Sequence, residues 1–214
     1  DTSVSRGLGD VYKRQVGANI NDVIYGMGID PRIGSNYMQP GPGFGGPCLE
    51  KDLMALIELG NFYHLESTFM KAILKRNERQ VELILDKIVS EINDRGSLIT
   101  ILGLSFKANT DDIRNSASIK LINLLLDKGY KVNSYDPKAK FRLKNENYFQ
   151  FDDLYSAFNK SNCAVIMTEW DDFKNLDFIK ISKLMSSNII LDMRNIIEKD
   201  NQKLSDFKYY GLGS

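Results

Sequence analysis

At "DRGS", residues 94–97, the hydrophobic period of the chain changes, and that change limits the available folds more than any other feature. Upstream, Phe69, Ile73, Asn77, Val81, Ile84, Ile88 and Ile92 recur every three or four residues, which predicts one long helix over about 65–93 with a buried face. Downstream, "LITILGL" (98–104) is a continuous apolar run of the parallel-strand kind, followed by a polar loop, a helix at "SASIKLINLLLDKG" and a strand at "KVNSYDP". This is a βαβ unit. A short helix at 152–159, a strand at "CAVIMT", a helix at about 176–185, a strand at "NIILDM" and a short "FKYYGLG" end extend it. Such alternation predicts an α/β fold with a mostly parallel sheet covered on both faces, so 97–214 reads as a Rossmann-like domain.

Residues 16–94 read as an all-helical segment. A first helix over 16–28 carries Ile20, Val23, Ile24 and Met27, a Gly/Pro-rich loop runs to Pro47, and a second helix extends from near Cys48 to Gly60 before the long connecting one. Residues 1–15, "DTSVSRGLGDVYKRQ", lack a starting Met and any periodicity. They resemble translated adaptor sequence, with a disordered native tail as the alternative, and they are set aside from the fold. The chain is expected to be the C-terminal part of something longer.

Charge and cysteine content exclude several classes. Lys+Arg and Asp+Glu each number 28, so no basic face is offered to nucleic acid or to an anionic membrane. Two distant cysteines and one histidine provide no metal-ligand spacing and point to a reducing, cytoplasmic setting. No apolar run reaches the roughly 20 residues that span a bilayer.

Gly41, Gly43 and Gly46, in "GPGFGGPCLEKD", have the G-x-G-x-x-G spacing of a dinucleotide fingerprint. That fingerprint needs a strand before it and an acidic residue ending a second strand about 20 residues on. "RIGSNYMQP" is a poor strand, and Glu66 lies in the long-helix region, so the context fails. The other reading is a glycine loop that delivers a nucleophile. Cys48 in the first turn of a helix meets unpaired N–H groups and the positive dipole end, which favour thiolate. Lys51 and Asp52, at i+3 and i+4, share its face. On these residues alone the alternative stays open: a small buried cysteine beside two surface charges.

Three motifs, "GMGIDPRIGSNYMQPGPGFGGPCLEKDLMAL", "ILGLSFKANTDDIRNSASIKLINLLLDKGYKVNSYDP" and "VIMTEWDDFKNLDF", in this order, resemble the UDP-glucose/GDP-mannose dehydrogenase family from about Gly17 to the C-terminus. The resemblance implies an N-terminal NAD-binding domain absent from this chain, a helical centre and a C-terminal domain that holds the nucleotide. It implies NAD as cofactor, a UDP-sugar as substrate and a homodimer or higher homo-oligomer. The chemistry implied is twofold oxidation of the C6 alcohol of UDP-glucose to UDP-glucuronate through a cysteine thiohemiacetal and thioester. Carried over by motif, Cys48 is the nucleophile, Asp52 aids hydrolysis and Lys51 lies near the cofactor. Arg114 contacts NAD. Gly41, Gly43, Phe44 and Gly45 wrap the sugar and phosphates, Phe106 and Lys107 hold the nucleotide sugar, and Arg32 reaches the substrate, with a dimer interface as one route. Arg194 is a further substrate candidate, although a strand-end arginine is as often paired structurally.

The chain also departs from the family pattern. "CLEKD" stands where "CFPKD" or "CLPKD" is usual, and the family's catalytic lysine, asparagine, glutamate and threonine fall upstream of Val16. His64 reads as a surface residue, Cys163 as buried strand packing, and Trp170 as packing or a nucleotide cover. Asn77, alone on an apolar stripe, is expected to fix register between two copies of the long helix. Two alternatives stand beside this reading: a UDP-N-acetyl-hexosamine 6-dehydrogenase, and a nucleotide-sugar-binding or oligomerisation module without activity.

Overall fold

Strand β1 (Leu98–Leu102) sends Ile99 and Ile101 into one core and Leu102 into another, because successive strand residues face opposite ways. The computed structural model describes residues 20–34, 38–198 and 204–212. Within them β1 is joined by β2 (Lys131–Tyr135), β3 (Tyr148–Phe151), β4 (Cys163–Ile166), β5 (Ile189–Asp192) and β6 (Lys208–Gly211). The sheet order is β3-β2-β1-β4-β5-β6, and every neighbouring pair is parallel. The chain therefore winds outward from β1 to β3, returns, and winds outward again from β4. Loops leaving the carboxyl ends of β1 and β4 diverge at this reversal, where open α/β sheets place their ligands. This is the Rossmann-like α/β fold expected.

Six helices surround or precede the sheet among the described residues: α1 (Ile20–Gly28), α2 (Leu49–Phe62), α3 (Thr68–Glu91), α4 (Ala117–Asp127), α5 (Asp171–Lys174) and α6 (Phe178–Leu184). One face of the sheet packs against α3 and α4, whose Ile84, Ile88, Leu121 and Leu125 join Ile99, Val132, Cys163 and Leu191 in a single core. The other face packs against α5, α6 and a 3-10 turn at Ser156–Phe158, through Phe158, Phe173, Phe178 and Ile181. Ser116 begins α4 by accepting a hydrogen bond from the Ser118 amide, a normal use of serine at an N-cap.

Several elements differ from the sequence expectation. The stretch 152–159 supplies only the single 3-10 turn, while the strand β3 lies just before it in "YFQF". Aromatic residues suit a strand, but an edge strand with Tyr148 inward and Phe149 exposed shows no clean apolar-polar alternation to read. The terminal "FKYYGLG" contributes the sixth strand, and "DDFK" adds the one-turn α5. The stripe on α3 is buried only in its C-terminal half; Phe69 remains exposed, as do Leu49, Met54, Leu59 and Phe62 on α2. Residues 1–15, and 16–19 of the expected first helix, lie outside the described residues.

Cys163 is fully buried on β4, and desolvation pushes its thiol far above the ordinary range. At the far end of α3, Glu91 receives Lys208 of β6 and Lys87, each at 2.8 Å. Lys208 first and Lys87 second hold its carboxyl down to about 2, from 4.5, against a smaller desolvation effect. A carboxylate favoured in the folded state stabilises above its unfolded pKa and loses that contribution as pH falls toward the folded one. The urea midpoint of Glu91→Gln should therefore lie below the parent's at neutral pH, and the gap should close between pH 4.5 and about 2. A gap independent of pH would show that packing, not charge, is what the substitution removes.

Candidate active site

Met38–Pro40 has no strand structure, so the glycines that follow are not preceded by the strand a dinucleotide fingerprint needs. What approaches these glycines is the protein itself. A Cβ on Gly45 would lie 2.5 Å from the Asn115 carbonyl oxygen, and one on Gly46, held at φ +86°, would lie 2.9 Å from the Phe106 ring. Only a residue without a side chain fits those two positions. The Gly46 amide donates to the Arg114 carbonyl at 2.9 Å, which pins the loop across the carboxyl edge of β1. Toward Arg194 and Asn77 the spaces beside Gly41 and Gly43 are likewise filled.

Helix α3 grips the same loop from the other side. The Asn77 carboxamide accepts from the Phe44 amide at 2.8 Å and donates to the Phe44 carbonyl at 2.9 Å. Buried Gln80 reaches the Gly41 carbonyl at 3.4 Å and is itself held by Arg76. The expectation for Asn77 is thus corrected: its hydrogen-bonding groups are committed within the chain, to a loop 33 residues earlier, and not to a second helix. Replacing Asn77 by alanine leaves both Phe44 groups without that partner. It should cost about 1–3 kcal/mol and speed amide exchange at Phe44 and Gly46; unchanged exchange at Phe44 would rule the clamp out.

Cys48 precedes α2 as its N-cap, with φ −99° and ψ −58°, so the helix starts one residue later than the sequence suggested. Its carbonyl accepts from the Asp52 amide at 2.8 Å, and its thiol is free and exposed. A small buried cysteine is excluded. Lys51 and Asp52 pair with each other at 3.2 Å, their side chains 71% and 64% exposed. From the β1 loop, Arg114 forms a fork on Asp112. That bond holds the guanidinium above and the carboxyl below their usual pKa ranges, and Cys48 adds a smaller electrostatic pull on Arg114. Cys48 and Arg114 thus share one neighbourhood. The Lys107 amine sits 5.5 Å over the Phe106 ring, beneath the glycine loop.

Two candidates are placed differently. The polar contacts of Arg32 among the described residues go to Asp30, and its side chain is 87% exposed, clear of the glycine loop. Arg194 is largely enclosed: its Nε donates to the Met167 carbonyl at 2.9 Å and lies 3.1 Å from Glu169, while Nη2 reaches the Phe106 carbonyl at 3.4 Å. Burial lowers its pKa. It joins the ends of β5 and β4 to the β1 loop and the glycine loop.

Sequence reasoning missed the group that shapes the reversal point. Asp136, just past β2, accepts at Oδ2 from the amides of Leu104 and Ser105, the Ser105 hydroxyl and the Trp170 indole. Its Oδ1 accepts from the amides of Lys138 and Ala139. A carboxylate at the end of β2 is where a dinucleotide fold meets ribose. That position was the available signal, yet here the group is spent inside the protein. Thr168 donates to the Ser105 carbonyl at 2.7 Å and closes the same junction. Among the described residues, no cluster of three or more His, Cys, Asp or Glu could hold a metal ion.

A doubly wound parallel sheet, its carboxyl edge crossed by a glycine loop that leads to an exposed cysteine, defines a Rossmann-like α/β protein with a candidate nucleophile. Residues 100–199 match the UDP-glucose/GDP-mannose dehydrogenase family, UDP binding domain, and residues 4–79 match the central domain of the same family. The chain belongs to the UDP-glucose/GDP-mannose dehydrogenase family. It is 39% identical over 206 residues to UDP-glucose 6-dehydrogenase of Rickettsia conorii, covering 94% of this chain and 48% of that protein. A solved UDP-glucose dehydrogenase from Pyrobaculum islandicum superposes with a TM-score of 0.80 at 29% identity, over 99% of this chain and 47% of that one. A UDP-D-ManNAc dehydrogenase from Pyrococcus horikoshii gives 0.77 at 26%, over 99% and 48%. The chain spans about half the length of the curated relatives it matches.

Proposed function

We propose that this chain is the substrate-holding and thiol-bearing part of an NAD-dependent nucleotide-sugar 6-dehydrogenase that oxidises UDP-glucose to UDP-glucuronate. The observation that carries the reading is the exposed Cys48 at the start of α2, beside a glycine loop docked on a sheet of the UDP-binding family. In this reading Phe44 and the backbone of Gly41, Gly43 and Gly45 would meet the sugar from the side of the loop not packed on Asn77, Asn115 and Arg194, with Phe106 and Lys107 beneath and Arg194 bracing the loop. Arg32 would meet the substrate from a second copy of the chain. The exposed apolar residues Tyr25 of α1, Ile29 just past it and Met54 of α2 support a homo-oligomer.

Cys48 adds to the C6 aldehyde through sulfur, the carbonyl oxygen taking up a proton, to give a thiohemiacetal. Loss of hydride and a proton from that adduct leaves a thioester. Water, oriented or deprotonated by Asp52, adds to the thioester carbonyl and expels the thiolate, giving the carboxylate. When bound, NAD+ would supply the hydride acceptor for both oxidations, the first of which takes a hydride and a proton from the C6 alcohol to make that aldehyde. The described residues contain no cradle for it: the glycine run lacks its strand, and Asp136 is committed to internal donors. Lys51 and Arg114 would be the cations of this chain that meet its edge. Two free cysteines fit a cytoplasmic enzyme.

The test is stoichiometry. Full-length protein supplied with UDP-glucose should release two NADH per sugar and a C6 carboxylate. Binding without any NADH would make it a nucleotide-sugar-binding module instead. The likeness to a UDP-D-ManNAc dehydrogenase, close in TM-score to the UDP-glucose one, supports a second reading, oxidation of a UDP-N-acetyl-hexosamine by the same steps. A higher kcat/KM for that sugar would select it.

A further inference from the structure

Helix α2 is thinly anchored: of its 14 residues only Ile57 is buried, so no apolar face holds its first turn against the sheet. Polar links must do so. One is the Gly46 amide on Arg114, just before the helix. Another lies inside its first turn, where Glu50 Oε2 stands 3.7 Å from Lys120 Nζ on α4. Among the described residues that oxygen is buried without a hydrogen-bond partner, which leaves Lys120 as its counter-charge there. Lys120 also lines the cleft beneath the glycine loop with Pro42, Phe44 and Asn77.

Direction follows from helix geometry. Residues two apart point to opposite sides of a helix, whereas residues three and four apart share one. Drawing Glu50 toward α4 therefore leaves Cys48 and Asp52, each two residues from it, on the side away from α4, and both are exposed. Glu50 is also the departure from the family pattern, standing where that pattern has proline. A proline ring stiffens a helix start by itself; here an ion pair between two elements takes its place.

We propose that Glu50 and Lys120 are a positioning pair that fixes the first turn of α2 on α4 and so aims Cys48 at the substrate. The proposal rests on the reading of Cys48 as nucleophile. In the full-length protein, Lys120→Met and Glu50→Gln should each lower kcat for sugar oxidation about 2- to 5-fold, the scale of a partly exposed ion pair. KM for the sugar nucleotide should stay unchanged, and amide exchange across Leu49 to Asp52 should quicken. The reversed pair, Glu50→Lys with Lys120→Glu, should recover kcat to within about twofold and restore slow exchange, because opposite charges attract in either order. Single variants that leave kcat and exchange untouched overturn the proposal, as does a reversed pair no better than the singles. Activity surviving in Cys48→Ala would sink the reading of the site, while the exchange result would still decide for or against the tether.

Discussion

Cys48→Ala should bind UDP-sugar as tightly as the parent protein yet lose formation of the carboxylate by at least about a thousandfold. Removing the nucleophile of a covalent route removes every step built on the adduct, and losses of this order are typical when such a residue is deleted. Serine in its place should not restore the rate, because an alkoxide at neutral pH is far scarcer than a thiolate. Binding should survive because the thiol is exposed and makes no side-chain cap, so its loss disturbs neither the helix start nor the loop. Calorimetry with UDP-glucose and a single-turnover assay on one preparation would separate the two effects. Carboxylate formed at more than a tenth of the parent rate would remove Cys48 from the chemistry.

The largest effect on stability belongs to Asp136. Its two oxygens gather four backbone amides, a hydroxyl and an indole from three separate loops, at 2.7 to 3.2 Å, with the residue 2% exposed. Asparagine has the same shape but turns one acceptor into a donor that faces donors. Leaving buried donors of such an arrangement unpaired costs about 1–3 kcal/mol for each, or roughly 10 °C in melting temperature for a chain of this size when two are lost. Trp170→Phe, which removes a single donor, should cost only about 1 kcal/mol. A melting temperature for Asp136→Asn within about 2 °C of the parent would mean that the cluster is incidental to the fold.

What could be read in advance divides along physical lines. Interior strands such as β1 and β4 are apolar on both faces, so their runs stand out, and the helix between β1 and β2 carries its own N-cap serine. Edge strand β3 has one wet face and three aromatics in four residues, so periodicity had nothing to find there. Cys48 was legible because a glycine loop and a helix start sit beside it in sequence. Asn77, Asp136 and Lys120 were not, since each acts on a partner 30 or more residues away, and a polar residue does not announce which distant group it will meet. Asn77 shows the hazard: a lone carboxamide on an apolar stripe looks like a register pin until the loop folds back onto it.

Trp170 is the chain's single tryptophan, and its indole N–H is tied to Asp136 at the point where the two halves of the sheet diverge. The protein therefore carries an optical reporter at its candidate nucleotide crevice. Any nucleotide that displaces or tightens the Ser105–Asp136–Trp170 junction should shift the colour of its emission, so occupancy can be followed at equilibrium and in stopped flow without a label or a turnover assay.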